Sequence, residues 1–501
     1  MKKIIALLCV VAMMVSLSSC GGPVEETSSV VTVEGGGQQN GVQGENGDNS
    51  EAGSSSNGSV LNSSGSNTKI DNPLNVDLKG ATITIYDIST FNPNASASKT
   101  EKAKADMLNK IQKELNCKFK VTTTTDEKME SYVTTSAASG KALCGIIAPS
   151  MYNSGYYISA NLVTNLTKVS SMDLSKSYMN RYGILSASQF GSAKYAVAAE
   201  GESRTYVVFY NKRILKEMGY SENHIYNLVD SGKWTYDVYR ELAKKGMKDL
   251  DGKAGFSAND QWGQVLQDGS TGIMSNVVAA QGTSMLKLSS SGKLTYNMTD
   301  ARIINSINLA HNILVKDGTD SSKFGSTADD RVKMFGNGKA LFLFASLHKA
   351  TNITGMKDDY GIVPVPQTAA TKNYKSSIDW NARVLMMPAG LSAKDQYNAG
   401  AVMQAYQYLY DNVLKTMETE YVNRYFCDEK SGDNFKIAAA GMTTMPEFLY
   451  AQTNETILSG TYRIFWDYFN GKTNSPVSNI EAQKSAVEKS LEELNSKIKD
   501  K

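Results

Sequence analysis

The chain has 501 residues, 41% hydrophobic and 20% charged, and its 52 Lys and Arg nearly balance 50 Asp and Glu. That near-neutral balance argues against a nucleic-acid partner, whose phosphates need clustered basic residues. It also argues against a charge-driven grip on lipid head groups.

Lys2 and Lys3 precede a short apolar stretch that ends in Leu17-Ser18-Ser19-Cys20. A charged start, a 7–15-residue apolar segment and small residues before a cleavage point mark an export signal. The stretch is too short to span a bilayer, which takes roughly 20 apolar residues. It resembles a bacterial lipoprotein signal peptide. That resemblance implies cleavage of 1–19, acylation of Cys20 and an extracytoplasmic, lipid-anchored protein. Lys2 and Lys3 are the only charges removed, so basic and acidic residues in the remainder are equal at 50. Cys117, Cys144 and Cys427 remain, an odd number, which is no disulfide framework. Cys117 and Cys144 lie in apolar, strand-like runs and read as buried thiols.

From 20 to 76 the chain is mostly Gly, Ser, Asn, Gln, Glu and Asp, with no aromatic residue before Tyr86. Such a segment buries too little apolar surface to offset its ordering entropy, and it reads as a disordered tether. As a Gly/Ser coil of about 55 residues its span is roughly 40 Å.

Order is expected from Asp77. Thr82-Ile83-Thr84-Ile85-Tyr86 alternates as a strand does. Met107, Leu108, Ile111 and Leu115 share a helical face that Asn116 ends. Cys117, Phe119 and Val121 alternate again. A second helix is expected over 128–138, then a buried strand over 142–147. This strand–helix order predicts a parallel sheet flanked by helices. Ligands in such sheets bind beyond the carboxyl ends of the strands, here near 87–90, 123–126 and 148–152. Helices follow at 236–245, 271–281, 301–316 and 399–412, and strands at 340–345, 360–365 and 384–388. A last helix is expected over 479–499, with a capping box at Ser478 and Glu481 and a stripe of Val487, Leu491, Leu494 and Ile498. The roughly 425 residues from 77 onward exceed one core, so two lobes are expected.

Thr205-Tyr206-Val207-Val208-Phe209-Tyr210-Asn211-Lys212 is an apolar strand ending in Tyr-Asn-Lys, followed by a short helix to Met218-Gly219-Tyr220. Lys233-Trp234-Thr235-Tyr236-Asp237 starts a helix, with Thr235 a good N-cap. Phe335-Gly336-Asn337-Gly338-Lys339-Ala340-Leu341-Phe342 and Asp359-Tyr360-Gly361-Ile362-Val363-Pro364-Val365-Pro366 complete the set. In order and spacing these segments resemble the extracellular solute-binding proteins of ABC importers, in the branch that includes maltose-binding protein.

The resemblance implies a two-lobed α/β fold of the periplasmic-binding-protein type (type II), closing like a hinge around a solute. It divides the chain into 79–200 plus 340–385 and 205–335 plus 390–501, crossing near 200–206, 335–339 and 384–389. It implies a monomer that takes up a sugar or oligosaccharide, delivers it to permease subunits and uses no cofactor. A glycan hydrolase and a sensory binder of a non-sugar solute stay open as alternatives.

Sugar binding combines aromatic faces with hydrogen-bonding groups such as Arg, Asp and Asn. Asp379-Trp380-Asn381-Ala382-Arg383 offers an aromatic, an acid, an amide and a guanidinium just before an apolar strand. Tyr152 follows the third strand, and Arg204 lies on a crossing segment. Trp262 lies in the polar-aromatic loop Asp260-Gln261-Trp262. His348 stands in Ala345-Ser346-Leu347-His348, where maltose-binding relatives place a Trp. Trp234, at a capped helix start, reads as structural. There is no His-Glu-x-x-His, Cys-x-x-Cys, Gly-x-Ser-x-Gly or phosphate-cradling loop. His224, His311 and His348 are too scattered for a zinc site, and Asp249-Leu250-Asp251-Gly252 lacks the later ligands of a calcium loop. No catalytic or metal residue is therefore assigned.

Overall fold

The computed structural model describes residues 72–497. The leader, Cys20, the tether up to 71 and Ile498 lie outside the described residues. Residues 72–76, grouped with the tether by composition, already belong to the folded body. Leu74 and Val76 pack against the core of the first sheet.

Strand β1 (Ala81–Asp87) buries Ile83, Ile85 and Asp87. The helix Lys99–Glu114 follows, capped by Ser98, whose hydroxyl accepts from the Glu101 N–H. Its buried face holds Met107, Leu108 and Ile111, and Asn116 turns the chain at φ 47°. β2 (Cys117–Thr123) then pairs parallel with β1, placing Phe119 beside Ile83. The helix Asp126–Ser139 runs from the Thr125 cap to a left-handed Gly140 and leads to β3 (Ile146–Ala148), parallel on the other edge of β1. The strand expected over 142–147 begins later. The Ala142 N–H donates to the Gly390 carbonyl and the Leu143 N–H to Ser136 Oγ, so neither can join the ladder. Cys117 and Cys144 are buried as expected, and burial pushes each thiol up to about 12.

After the helix Met151–Ser159 come the hairpin of β4 (Gln189–Phe190) and β5 (Ala193–Lys194), then β6 (Val197–Ala198). The second sheet is built on β7 (Tyr206–Asn211), in which every residue is buried. β8 (Trp262–Leu266), the hairpin of β9 (Leu286–Leu288) and β10 (Leu294–Tyr296), β11 (Ala340–Ser346) and β12 (Tyr360–Pro364) follow. The sheet order is β12-β7-β11-β8, with β7 antiparallel to both neighbours and β11 parallel to β8. This sheet is therefore mixed, whereas β2-β1-β3 is wholly parallel.

The segment 340–385, expected with the first sheet, is divided. β11 and β12 cover the two edges that β7 would otherwise leave open, and so belong to the second sheet. β13 (Ser376–Ser377) pairs with the late strand β15 (Met442–Thr443). Only β14 (Val384–Leu385) reaches the first side, pairing with β6, while Met386 bridges to Ile147 beside it. The 32-residue helix Ala393–Arg424, expected with the second lobe, instead packs on Lys99–Glu114 and β1. Its Ala399, Val402, Tyr406 and Leu409 share a core with Ile85, Phe91 and Ile111. Residues 335–339 are the end of the helix Ala328–Gly336 and the turn into β11, not a crossing. The chain passes between the sheets at 199–205, 378–383 and 424–428.

Trp234 is fully buried, as expected of a structural residue. Its indole N–H donates to the Pro364 carbonyl at 2.8 Å, and Thr235 caps the helix Tyr236–Lys245. The last helix, Pro476–Lys497, starts ahead of the expected capping box because Pro476 suits a first turn and Ser475 Oγ accepts from the Ser478 N–H. Val487, Leu491 and Leu494 form its buried stripe. The largest apolar cluster runs across the gap between the sheets, joining Met151, Tyr157 and Ile158 to Phe448, Leu449 and Tyr450.

Glu447 lies in that region without solvent exposure, accepting from the N–H groups of Met285 (3.0 Å) and Leu286 (3.5 Å). Burial pushes its carboxyl from an ordinary 4.5 up to about 7, the two hydrogen bonds opposing only in part. The folded state thus holds a proton that the unfolded chain has lost. Its contribution to stability is fully present below pH 4.5 and disappears as pH rises to about 7. Glu447→Gln is expected to flatten the fall of stability over that window, measured as urea midpoints against pH.

Candidate ligand-binding site

The carboxyl ends of β1, β2 and β3 face the second sheet, and the segment 378–383 runs between them. Arg204, in the turn just before β7, reaches both ways. Its Nη2 donates to Glu200 Oε1 at 2.9 Å and its Nη1 to Asp379 Oδ2 at 3.5 Å. Burial disfavours the Arg204 charge, but Glu200 and Asp379 outweigh it and hold the guanidinium protonated.

Each partner is fixed in turn. Glu200 Oε2 accepts from the Arg383 N–H at 2.8 Å. Arg383 Nη1 donates to Asp126 Oδ2 at 3.0 Å and also to Ser150 Oγ. Burial works against the Asp126 charge, yet hydrogen bonds from Ser150 and the nearby Arg383 pull its carboxyl below the usual range. Asp379 is 2% exposed; its Oδ1 accepts from the Asn381 N–H at 3.0 Å and its Oδ2 from Ser346 Oγ at 3.2 Å. Ser346 Oγ also meets His348 Nδ1 at 2.9 Å. Burial, then the Arg204 charge, pushes His348 down to about 3, so this imidazole is neutral at physiological pH.

The Tyr152 and Trp380 rings lie 5.2 Å apart, inclined at 51°, and both are half-buried. At the end of β8, Asp268 accepts from the Tyr206 hydroxyl and from Gln267 Nε2 at 3.0 Å. Burial, then the Asp379 charge, raises the Asp268 carboxyl. Opposite, Asp87 Oδ1 and Thr90 Oγ1 are buried with no partner among the described residues. Lys104, close to the charges of Glu200 and Asp87, has its ammonium form disfavoured by burial.

Seven of the residues picked from sequence thus gather in one place: Tyr152, Arg204, His348, Asp379, Trp380, Asn381 and Arg383. Asn381 takes part through its backbone. Trp262 does not join them. It is 2% exposed, its indole N–H donates to the Ser257 carbonyl at 2.8 Å, and it packs on Phe256 and Phe324. It pairs with Ala340 at the start of β11, whereas Ser346 is the last residue of that strand, roughly 20 Å further on. Trp262 opens β8 at its amino end, away from where ligands bind.

The same rule points to the opposite end of β8, where Gln267 and Asp268 stand. Asp87, Asp126 and Ser150 fall within the three strand-end windows read from the sequence, though none was singled out. Glu200 carried a signal in its four-residue spacing from Arg204. Trp466, whose indole N–H donates to Thr271 Oγ1 at 3.2 Å just beyond Asp268, carried none. Asp249, Asp251 and Asp260 bring carboxylate oxygens within 4.8 Å of one another. Asp260 is taken up by the N–H groups of Leu250 (2.8 Å) and Ser257 (2.7 Å), so this cluster closes its own loop.

Two α/β lobes with a charged floor and an aromatic pair at facing strand ends define the architecture of a two-lobed binding protein. Residues 106–422 match the family described as bacterial extracellular solute-binding protein, and the chain belongs to that family. Its fold is similar to an ABC substrate-binding protein from Listeria monocytogenes in complex with cycloalternan (TM-score 0.55, 14% identity, covering 83% of this chain and 100% of that one). It is also similar to a maltose/maltodextrin-binding domain from Bdellovibrio bacteriovorus bound to maltotriose (0.53, 16%, 82% and 100%). A third is the ABC transporter associated binding protein from B. animalis subsp. lactis in complex with β-1,6-galactobiose (0.54, 16%, 83% and 99%). At these identities the likeness is one of fold. No curated protein matches the sequence. No helix among the described residues is long and apolar enough to cross a membrane.

Removing the Arg204 side chain would leave Glu200 and Asp379 as uncompensated, largely buried charges. Arg204→Ala is expected to cost about 3 kcal/mol in urea unfolding. Arg204→Lys should recover only part, because an ammonium lacks the planar fork that spans two carboxylates.

Proposed function

We propose that this protein is a lipid-anchored solute-binding protein that captures a sugar or oligosaccharide by hinge closure and delivers it to the permease of an ABC importer. The observation that carries this reading is the Tyr152–Trp380 ring pair set beside the network of Arg204, Asp379, Ser346 and His348. Aromatic faces suit the C–H faces of sugar rings, and planar polar groups suit hydroxyls. The relatives bound to cycloalternan, maltotriose and β-1,6-galactobiose share this fold and support the same class of solute. Asp126, Glu200 and Asp379 are each tied to an arginine, which favours holding a solute over cleaving one. The two bodies of the hinge are 72–200 with 384–424, and 205–377 with 428–497.

Cys20 supplies the anchor in this reading, and the segment to 71 the reach from the membrane. Cys20→Ala is expected to move the protein from the membrane fraction to the medium; continued attachment in cell fractionation would refute the anchor.

Solute class is tested by titrating the purified protein across mono- and oligosaccharides, with peptides and polyols as controls. Stoichiometric binding without new products is expected. Trp380→Ala should weaken the best sugar roughly tenfold while leaving the unfolding temperature unchanged. Turnover of the glycan, or preference for a control compound, would overturn the reading.

A further inference from the structure

An open pocket of about 460 Å³ lies away from the cleft, against the pair of β13 and β15. Ligand pockets commonly measure about 300–1,000 Å³. Its walls carry Lys287, Arg302 and Lys375, with Thr283, Thr443 and Thr444, and no acidic residue. We propose that this pocket is a second ligand site, for a small molecule that carries a multiply charged oxyanion such as a phosphate group.

The charges do not cancel locally. Asp300, outside the pocket, holds Arg302 at 2.7 Å and stands 3.6 Å from Lys287, so one carboxylate answers two cations. Lys375 has no acidic partner within ion-pair distance among the described residues, and its ammonium reaches across the pocket wall towards Gly282. Thr444 adds an independent sign. It is only 7% exposed, and its Oγ1 is buried with no hydrogen-bond partner among the described residues. A buried hydroxyl left unpaired is costly, and a turn of the Thr444 side chain into the pocket would let a ligand oxygen satisfy it.

Ammonium, guanidinium and hydroxyl donors around one cavity match the acceptor-only oxygens of a phosphate. The helices Gly269–Ala280 and Glu429–Ala440 end at this pocket, and their carboxyl ends oppose an anion. That field is partial in charge and screened at an exposed end, so the net two positive charges left by Lys287, Arg302 and Lys375 against Asp300 outweigh it. The cleft is built differently, since Arg204 and Arg383 there are matched by Glu200, Asp379 and Asp126. The pocket thus selects an anion where the cleft does not.

The test is calorimetric titration of the mature protein with pyrophosphate and with inorganic phosphate, against sodium chloride at equal ionic strength. Saturable binding of one equivalent is expected. Binding of phosphate alone would identify the free ion as sufficient, and binding of pyrophosphate only would point to a larger phosphorylated molecule. Lys287→Ala and Lys375→Ala alter exposed side chains and should each weaken binding roughly tenfold. Thr444→Val should weaken it as well, without lowering the unfolding temperature. No saturable binding beyond chloride, binding indifferent to both lysine variants, or binding abolished by Trp380→Ala (which would put the anion in the cleft) would each overturn the proposal.

Discussion

One guanidinium organises the crossing between the sheets. Arg204 is four-fifths buried between Glu200 and Asp379, and a charge so placed is tolerated only when paired and hydrogen-bonded. The pairing imposes geometry in both directions. Glu200 must turn one oxygen to Arg204 and the other to the Arg383 N–H, which brings 383 against the start of the second sheet. Asp379 must face Arg204 with its outer oxygen while the inner one holds the Asn381 N–H. The tight turn that results presents the Trp380 ring beside Tyr152. The aromatic face of the cleft therefore follows from where an ion triad can be satisfied, not from the packing of the rings themselves.

A second constraint is how closely the two sides approach. A Cβ on Gly155 would lie 1.8 Å from the Leu449 carbonyl oxygen, so the helix Met151–Ser159 meets the opposite side backbone to backbone. The hairpins repeat the device, with the Gly191 N–H donating to the Gly292 carbonyl at 2.9 Å. Glycine at these places removes the side chain that would hold the halves apart. Around them the apolar cluster of Met151, Tyr157, Phe448 and Tyr450 is continuous. Burial of that surface favours the approached state at roughly 25 cal/mol per Å² of apolar area removed from water. The polar network sits in the remaining gap, where low dielectric strengthens each of its hydrogen bonds.

Local features were legible in the sequence because their causes are local. The Thr235 cap, the alternation of β1, the buried Trp234 and the stripe of Val487, Leu491 and Leu494 each depend on residues within a turn or two. The cluster of Asp379, Trp380 and Arg383 was legible for a related reason, since one heptapeptide carries most of the chemistry. Assigning 340–385 and 390–424 to a lobe needed long-range information. β7 is apolar on both faces and leaves two edges of backbone hydrogen-bonding groups to pair, and nothing within it says that strands more than 130 residues later will cover both. The helix Ala393–Arg424 is buried all round from Asn398 to Gln407, so that stretch carries no one-sided stripe to show which sheet it covers. Trp262 misled because an aromatic beside polar residues looks the same at either end of a strand. Only the direction of β8 shows that Gln267 and Asp268, not Trp262, stand at its carboxyl end beside Ser346.

At the end of β11 stand Ser346 and His348, where the sequence resemblance to maltose-binding proteins leads one to expect a tryptophan. A tryptophan there would fill the gap and leave little room for polar groups beneath it. Ser346 and His348 instead extend the network, joining Gln267 to Asp379 through one hydroxyl. The neutral imidazole adds a hydrogen-bonding ring without adding charge, because burial beside Arg204 keeps it unprotonated. Stacking surface is then concentrated on the wall of Tyr152 and Trp380, and directional donors and acceptors on the wall of β8 and β11. Apolar contact rewards area and tolerates small shifts, whereas buried polar groups penalise any partner that leaves one of them unmatched. In the proposed sugar-binding reading, discrimination between similar solutes would therefore rest with Asp268, Ser346 and His348, and affinity with the two rings opposite.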